Sequence, residues 1–118
     1  MTRAGGFIAE EWIAGFLAHH GLEPVTRNFR CRVGEIDLIM RDGPVLVFIE
    51  VRHRMSDRFG SAIESITAAK RRKLLRTAQA YLQFRGKGAE PPCRFDVVAI
   101  NGPLRLENVQ WIKDAFQS

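Results

Sequence analysis

Gly34-Glu35-Ile36-Asp37-Leu38-Ile39-Met40, then Arg41-Asp42-Gly43-Pro44, then Val45-Leu46-Val47-Phe48-Ile49-Glu50-Val51-Arg52 is the stretch that decides the fold. In its first part the alternation of a strand places Glu35 and Asp37 on one side and Ile36 and Leu38 on the other. Asp42-Gly43 accepts the positive φ of a tight turn, so the two apolar runs should form a hairpin. The second run is apolar at successive positions, as a central strand covered on both faces requires. Glu50 is out of character there.

Upstream, Phe7, Ile8, Trp12, Ile13, Phe16 and Leu17 recur at near-helical spacing, predicting an amphipathic helix over Phe7 to His20 that Gly21 stops. Glu10 lies on it beside the apolar stripe. Val25 to Val33, with Arg27, Arg30 and Arg32 interleaved, reads as an exposed or edge strand. Downstream, Arg52 to Gly60 is a polar, basic loop. Ser61-Ala62-Ile63-Glu64 has capping-box spacing, and Thr67 competes with it as the start of the next helix. Over Lys70 to Phe84, Leu74, Leu75, Ala78, Tyr81 and Leu82 mark a buried stripe, with Lys70, Arg72, Lys73 and Arg76 mostly elsewhere. Phe95 to Ile100 reads as a strand, Asn101-Gly102 as a second hairpin turn into Leu104 to Trp111, and Ile112 to Ser118 as a last helical turn. The expected architecture is α/β, a mixed sheet flanked by helices in the order αβββαββ, as one domain over residues 1–118.

Composition narrows the function classes. The run Val45 to Ile49 falls far short of the roughly 20 apolar residues that cross a bilayer. Glu10 and Glu11 interrupt any apolar segment a signal peptide would need, which predicts a cytoplasmic protein without a membrane partner. Cys31 and Cys93 lie far apart and read as reduced, buried thiols. Lysine and arginine number 18 against 13 acidic residues, a formal charge of +5 that favours a polyanionic partner.

Asp37 and Glu50 fall on strands that the Asp42-Gly43 turn makes neighbours, so their carboxylates can converge on one spot. Magnesium and manganese prefer such oxygen ligands, with the Val51 carbonyl as a further donor. Arg52 points the same way as Glu50 and puts a cation beside it. A metal so held would polarise a phosphodiester and acidify a water, and Arg52 would offset charge on the phosphorane. Asp37, Glu50 and Arg52 would equally suit a structural ion network, and spacing alone does not choose between the two. His19, His20 and His53 show no metal spacing; His53 is the one expected near a phosphate.

Gly34-Glu35-Ile36-Asp37-Leu38-Ile39 followed by Val47-Phe48-Ile49-Glu50-Val51-Arg52-His53-Arg54 resembles the YraN-like family of uncharacterised bacterial proteins. Phe16-Leu17 with Gly21, Arg27-Asn28-Phe29-Arg30, Gly60, Lys70, Ala78 with Tyr81-Leu82, and Arg94-Phe95-Asp96-Val97-Val98 extend the resemblance over nearly the whole chain. That family is similar to archaeal Holliday-junction resolvases and to the restriction-endonuclease-like PD-(D/E)xK fold, which binds magnesium at its acidic cluster. The resemblance implies Asp37 and Glu50 as metal ligands, Arg52 at the motif lysine position, Glu10 as an auxiliary carboxylate and Lys70 as a phosphate contact. Ala9 stands where the family usually has glycine. Arg52 departs further: a desolvated lysine can serve as a base, whereas arginine stays charged and can only orient water or stabilise charge.

Three readings follow. One is a metal-dependent endonuclease using Mg2+ or Mn2+ on structured or branched DNA, with Glu10, Asp37, Glu50 and Arg52 as its catalytic set and a homodimer matching a two-fold substrate. Another is a nucleic-acid-binding module that keeps the basic loop Arg52 to Arg58, with Arg52, Arg54, Arg58 and Lys70 as contacts, and has lost turnover. The last is an interaction protein whose acidic cluster is structural.

Overall fold

Alternate residues of the apolar run Val45–Ile49 have to be covered on opposite sides, and two helices do so. The computed structural model describes residues 2–56, 62–86, 88 and 90–116, with side chains from Ile8 onward. Its elements are α1 (Thr2–His19), β1 (Glu23–Arg30), β2 (Glu35–Asp42), β3 (Val45–Arg54), α2 (Ala68–Arg85), β4 (Cys93–Asn101) and β5 (Val109–Phe116), with 3-10 turns at Ile63–Ser65 and Leu106–Asn108. The five strands lie in chain order, β1-β2-β3-β4-β5. Only β3 and β4 are parallel, joined by the α2 crossover, and the other neighbours are antiparallel. This is the mixed sheet and the order αβββαββ that the sequence predicts.

Val47 and Ile49 pack under α1 against Ile13, Ala14 and Leu17. Leu46 and Phe48 pack under α2 against Leu74, Ala78 and Tyr81. Burying one such side chain contributes roughly 1.5–3 kcal/mol, so these two layers supply the main driving force. On α2, Leu75 and Leu82 are only half-buried, and Thr77 takes a fully buried place by returning its hydroxyl to Lys73 O at 2.8 Å. Helix ends follow local chemistry. Gly21 takes φ 95° after α1, and Thr67 Oγ1 accepts Lys70 N–H at 3.2 Å to start α2. Thr67 therefore wins the competition for the cap. Ser61 and Gly60 lie outside the described residues.

Three expectations are corrected. Asn101-Gly102 does not close a two-residue hairpin: β5 starts only at Val109, after the 3-10 turn. Gly102, at φ 107°, instead donates its N–H back to Arg54 O at 2.7 Å, and Asn108 Nδ2 reaches Pro103 O at 2.7 Å, so the connection is a loop with its own hydrogen bonds. The tail is not helical. Residues up to Phe116 extend β5, because Trp111 Nε1 and the Asp114 N–H both donate to the carboxylate of Asp96 at 3.0 Å. Nor are the cysteines buried: Cys31 is half-buried and Cys93 exposed, the latter at the start of β4 before the strand enters the core.

Asp96 itself is 1% exposed. Arg94 grips it with two bonds of 3.0 and 3.2 Å and holds Asp42 at 2.7 Å. Register slips occur in both edge pairs, between Pro24 and Thr26 on β1 and between Phe95 and Val97 opposite β5. Each edge strand also carries one left-handed residue, Asn28 at φ 52° and Asp114 at φ 54°. No helix among the described residues is long and apolar enough to cross a membrane.

Candidate functional site

The ladder between β2 and β3 runs from Asp42 opposite Val45 to Leu38 opposite Ile49. One step further, Asp37 comes level with Glu50, and there the backbone pairing ends. The Val51 N–H donates to Asp37 Oδ2 at 2.8 Å in place of a β2 carbonyl. Amide and carbonyl of one strand residue point to the same neighbour, so the Val51 carbonyl also faces this gap. The expected alternation fails here: Leu38 packs in the α1 core, whereas Ile36, two residues away, packs in the α2 core. β2 thus rotates about Asp37, across from the left-handed Asn28 of β1. That rotation lays the Asp37 carboxylate along the edge of β3.

Glu50 follows Phe48 on the α2 side of β3, with its side chain only 12% exposed. Arg52, two residues on, places Nη2 2.8 Å from Glu50 Oε2. From the opposite face, Glu10 on α1 brings its side chain into hydrogen-bonding contact with Asp37, which also bonds Glu50. Three acidic side chains from three elements therefore meet at Asp37. Burial raises the Asp37 carboxyl above its ordinary range, opposed by the Val51 N–H, by Glu50 and Glu10, and by the charge of Arg52. Burial and then the Asp37 charge push Glu50 up to about 8, and Arg52 and Lys70 only partly offset this. The 2.8 Å contact with Arg52 is accordingly a weaker influence than the missing water. Burial thus favours one proton held between Glu50 and Asp37, which are hydrogen-bonded to each other.

Such a proton-sharing pair is an oxygen-donor set. Two carboxylates, with the Val51 carbonyl facing the same gap, match the few protein ligands magnesium takes while keeping several waters. A full cage of three His, Cys, Asp or Glu ligands does not occur among the described residues. The donor set therefore fits a partly hydrated cation bound by two carboxylates.

The pair opens into a cleft of about 550 Å³, whose walls include Arg30, Arg52, Lys70 and Lys73. Arg52 Nε is buried there with no acceptor among the described residues, so the guanidinium has a donor left over. Glu35 stands on the rim, 3.1 Å from Arg30, with both side chains about half exposed. Arg54 ends β3 exposed and does not line the cleft, and Arg58 lies outside the described residues. His53 sets Nε2 2.8 Å from Gly102 O, tying β3 to the loop after β4 rather than facing the cleft. Arg30 and Lys73 were not singled out from the sequence; the three-residue spacing of Lys73 from Lys70 was the available signal. Asp96 carried no such signal, because its partners come from β4 and β5.

The model of the uncharacterised protein family UPF0102 matches residues 9–100, which span the whole site from Glu10 to Lys73. A UPF0102 protein of Nitrosomonas europaea is 51% identical over 118 residues, covering 98% of each chain. One from Nitrosococcus oceani is 50% identical, over 98% of this chain and 93% of its own, and one from Stutzerimonas stutzeri is 44% identical over 99% and 98%. Matches of this extent, together with motifs that resemble the YraN-like family, mean that the chain belongs to the uncharacterised protein family UPF0102.

Proposed function

We propose that the chain is a metal-dependent endonuclease acting on structured or branched DNA. The observation that carries this reading is the buried Asp37–Glu50 pair, two carboxyl groups packed together and sharing a proton in a cleft walled by cations. Carboxyl groups packed together in low dielectric resist ionisation, and such perturbed pairs are characteristic of functional sites. The structural alternative is weaker here, because the satisfied ion network of this fold is at Asp96, whose oxygens each find donors.

Asp37 and Glu50, with the Val51 carbonyl, would hold Mg2+ or Mn2+, which when bound would lower the pKa of a water and polarise the phosphate. The chain's own residues supply the rest. Glu10 and the Val51 N–H orient Asp37. Arg52 and Lys70, both on the walls of the cleft, bind the phosphate oxygens and stabilise the charge that builds on them. Arg52 cannot take a proton, which leaves no lysine base at that position and favours, as second reading, a module that binds nucleic acid without turnover.

Purified protein with Mg2+ or Mn2+ is expected to nick a panel of four-way, flap and duplex DNAs, and Asp37→Asn and Glu50→Gln are expected to stop nicking with circular dichroism unchanged. Wild-type cutting by both variants would assign the activity to a contaminant and refute the proposal. Binding by the wild type without cutting in either metal would favour the second reading. Cutting two strands related by a two-fold axis suits a homodimer, which sedimentation on a junction tests.

A further inference from the structure

The helix that walls the cleft is unusual in its charges. Over Ala68–Arg85, α2 carries Lys70, Arg71, Arg72, Lys73, Arg76 and Arg85 and not one Asp or Glu. Five of these six cations fall in its first half, and Lys70 and Arg71 stand in the first turn, at the positive end of the helix dipole, where cations are disfavoured. Lys73–Arg76 and Arg72–Arg76 are also like-charged neighbours at three- and four-residue spacing, a second penalty. Lys70, Arg72, Lys73 and Arg76 form no ion pair among the described residues. Their placement therefore opposes the stability of the helix.

Their geometry is ordered. Lys70 and Lys73 line the cleft, and Arg76 and Arg72 continue from Lys73 around the exposed side of α2. The Lys73 stem lies across Gly34 so closely that a Cβ there would stand 3.2 Å from its Cε and 3.3 Å from its Cγ. The missing side chain at Gly34 thus gives Lys73 a seat at the lip of the cleft. From Lys70 to Arg76 the axis advances about 9 Å, which, laid along the axis of a duplex at about 3.4 Å of rise per phosphate of one strand, spans two to three phosphates. The turns of α2 that carry these cations, Ala68 to Arg76, expose no aromatic ring; the exposed Phe84 lies about 12 Å further along the axis and leans on Phe29, ring centroids 6.1 Å apart. Single strands are held on rings interleaved with the cations, and a cluster of cations with no ring among them fits the outside of a double helix.

We propose that Lys73, Arg76 and Arg72 form a track on α2 for the phosphate backbone of a duplex arm leaving the cleft, so that the substrate is nucleic acid with double-stranded DNA flanking the site of attack. This deepens the nuclease reading in naming the substrate's flank, and it rests on that reading for what happens inside the cleft.

The test is fluorescence anisotropy on the Glu50→Gln protein in EDTA, so that no cutting occurs, with a duplex of about 20 base pairs and a single strand of equal length. Adding Arg72→Gln and Arg76→Gln should lower the slope of log K against log salt for the duplex by about 2. The affinity gap to the parent should then widen about tenfold as salt falls from about 200 to about 50 mM. Binding of the single strand should change much less. Arg41→Gln with Lys113→Gln removes the same charge from exposed positions elsewhere and should leave the slope alone. The thermal midpoint of the Arg72→Gln, Arg76→Gln protein should stay level or rise. An unchanged duplex slope, an equal loss on the single strand, an equal loss in the control pair or a lowered midpoint would each overturn the proposal. Wild-type protein that fails to cut yet keeps the predicted duplex slope would sink the nuclease reading and leave the track standing.

Discussion

Replacing Glu50 with glutamine should stabilise the protein, and by an amount that depends on pH in a defined way. The folded-state value of about 8 lies above the ordinary 4.5, so the native chain holds a proton that the unfolded chain releases. Stability is therefore complete below about pH 4.5 and is lost as pH rises towards 8. At about 1.4 kcal/mol for each pH unit, the full loss is about 5 kcal/mol, and about 3 kcal/mol has gone by pH 7. Glutamine mimics the protonated side chain and escapes this loss. Glu50→Gln should thus match the wild type near pH 4.5, gain about 3 kcal/mol at pH 7 and about 5 kcal/mol at pH 9, as upper limits because the cluster relaxes. For a chain of this size about 3 kcal/mol moves the thermal midpoint by roughly 10 °C. Asp37 shares the proton, so the transition belongs to the pair. Melts followed by circular dichroism in EDTA at the three pH values measure it, and Mg2+ should stabilise the wild type at pH 9 but not the variant. A variant that melts lower than wild type at pH 7 and 9 would refute the reasoning, since Glu50 would then be a stabilising partner of Arg52.

Asp96→Asn should cost about 3–5 kcal/mol in urea unfolding, because Arg94, Trp111 and the Asp114 N–H all lose a charged acceptor in the core; a change under about 0.5 kcal/mol would show that Arg94 is content with Asp42. Gly34→Ala should cost about 1–3 kcal/mol, since its Cβ would stand 2.8 Å from Thr77 Oγ1. A double-mutant cycle with Thr77→Ala should recover part of that cost, and strict additivity of the two changes would rule the clash out.

Much of this was legible because it is local. The unbroken apolar run of β3 fixes a strand covered on both faces, and Asp42-Gly43 fixes the hairpin that brings Glu50 level with Asp37; Gly43 indeed takes φ 59°. What was not legible depends on contacts distant in sequence. Trp111 and Asp114 are drawn into a strand by Asp96 on β4, and nothing in Ile112 to Ser118 announces that partner. Gly102 looks like a turn residue yet serves β3, through Arg54 and His53. The rotation of β2 at Asp37 likewise needs its neighbours, Asn28 on one side and the Val51 amide on the other, and period-two alternation cannot foresee it. The carboxylates were readable as a pair from the hairpin alone, and their shared proton only from burial.

The left-handed residues and slipped registers on β1 and β5 bear on how molecules of this protein can meet. A strand that is kinked and out of step offers no regular row of amides and carbonyls for a further strand to join. Concentrated solutions are thereby protected against sheets growing from one molecule into the next. For the homodimer proposed above, this would leave helices and loops as the surfaces through which two copies touch, each five-stranded sheet staying complete in itself.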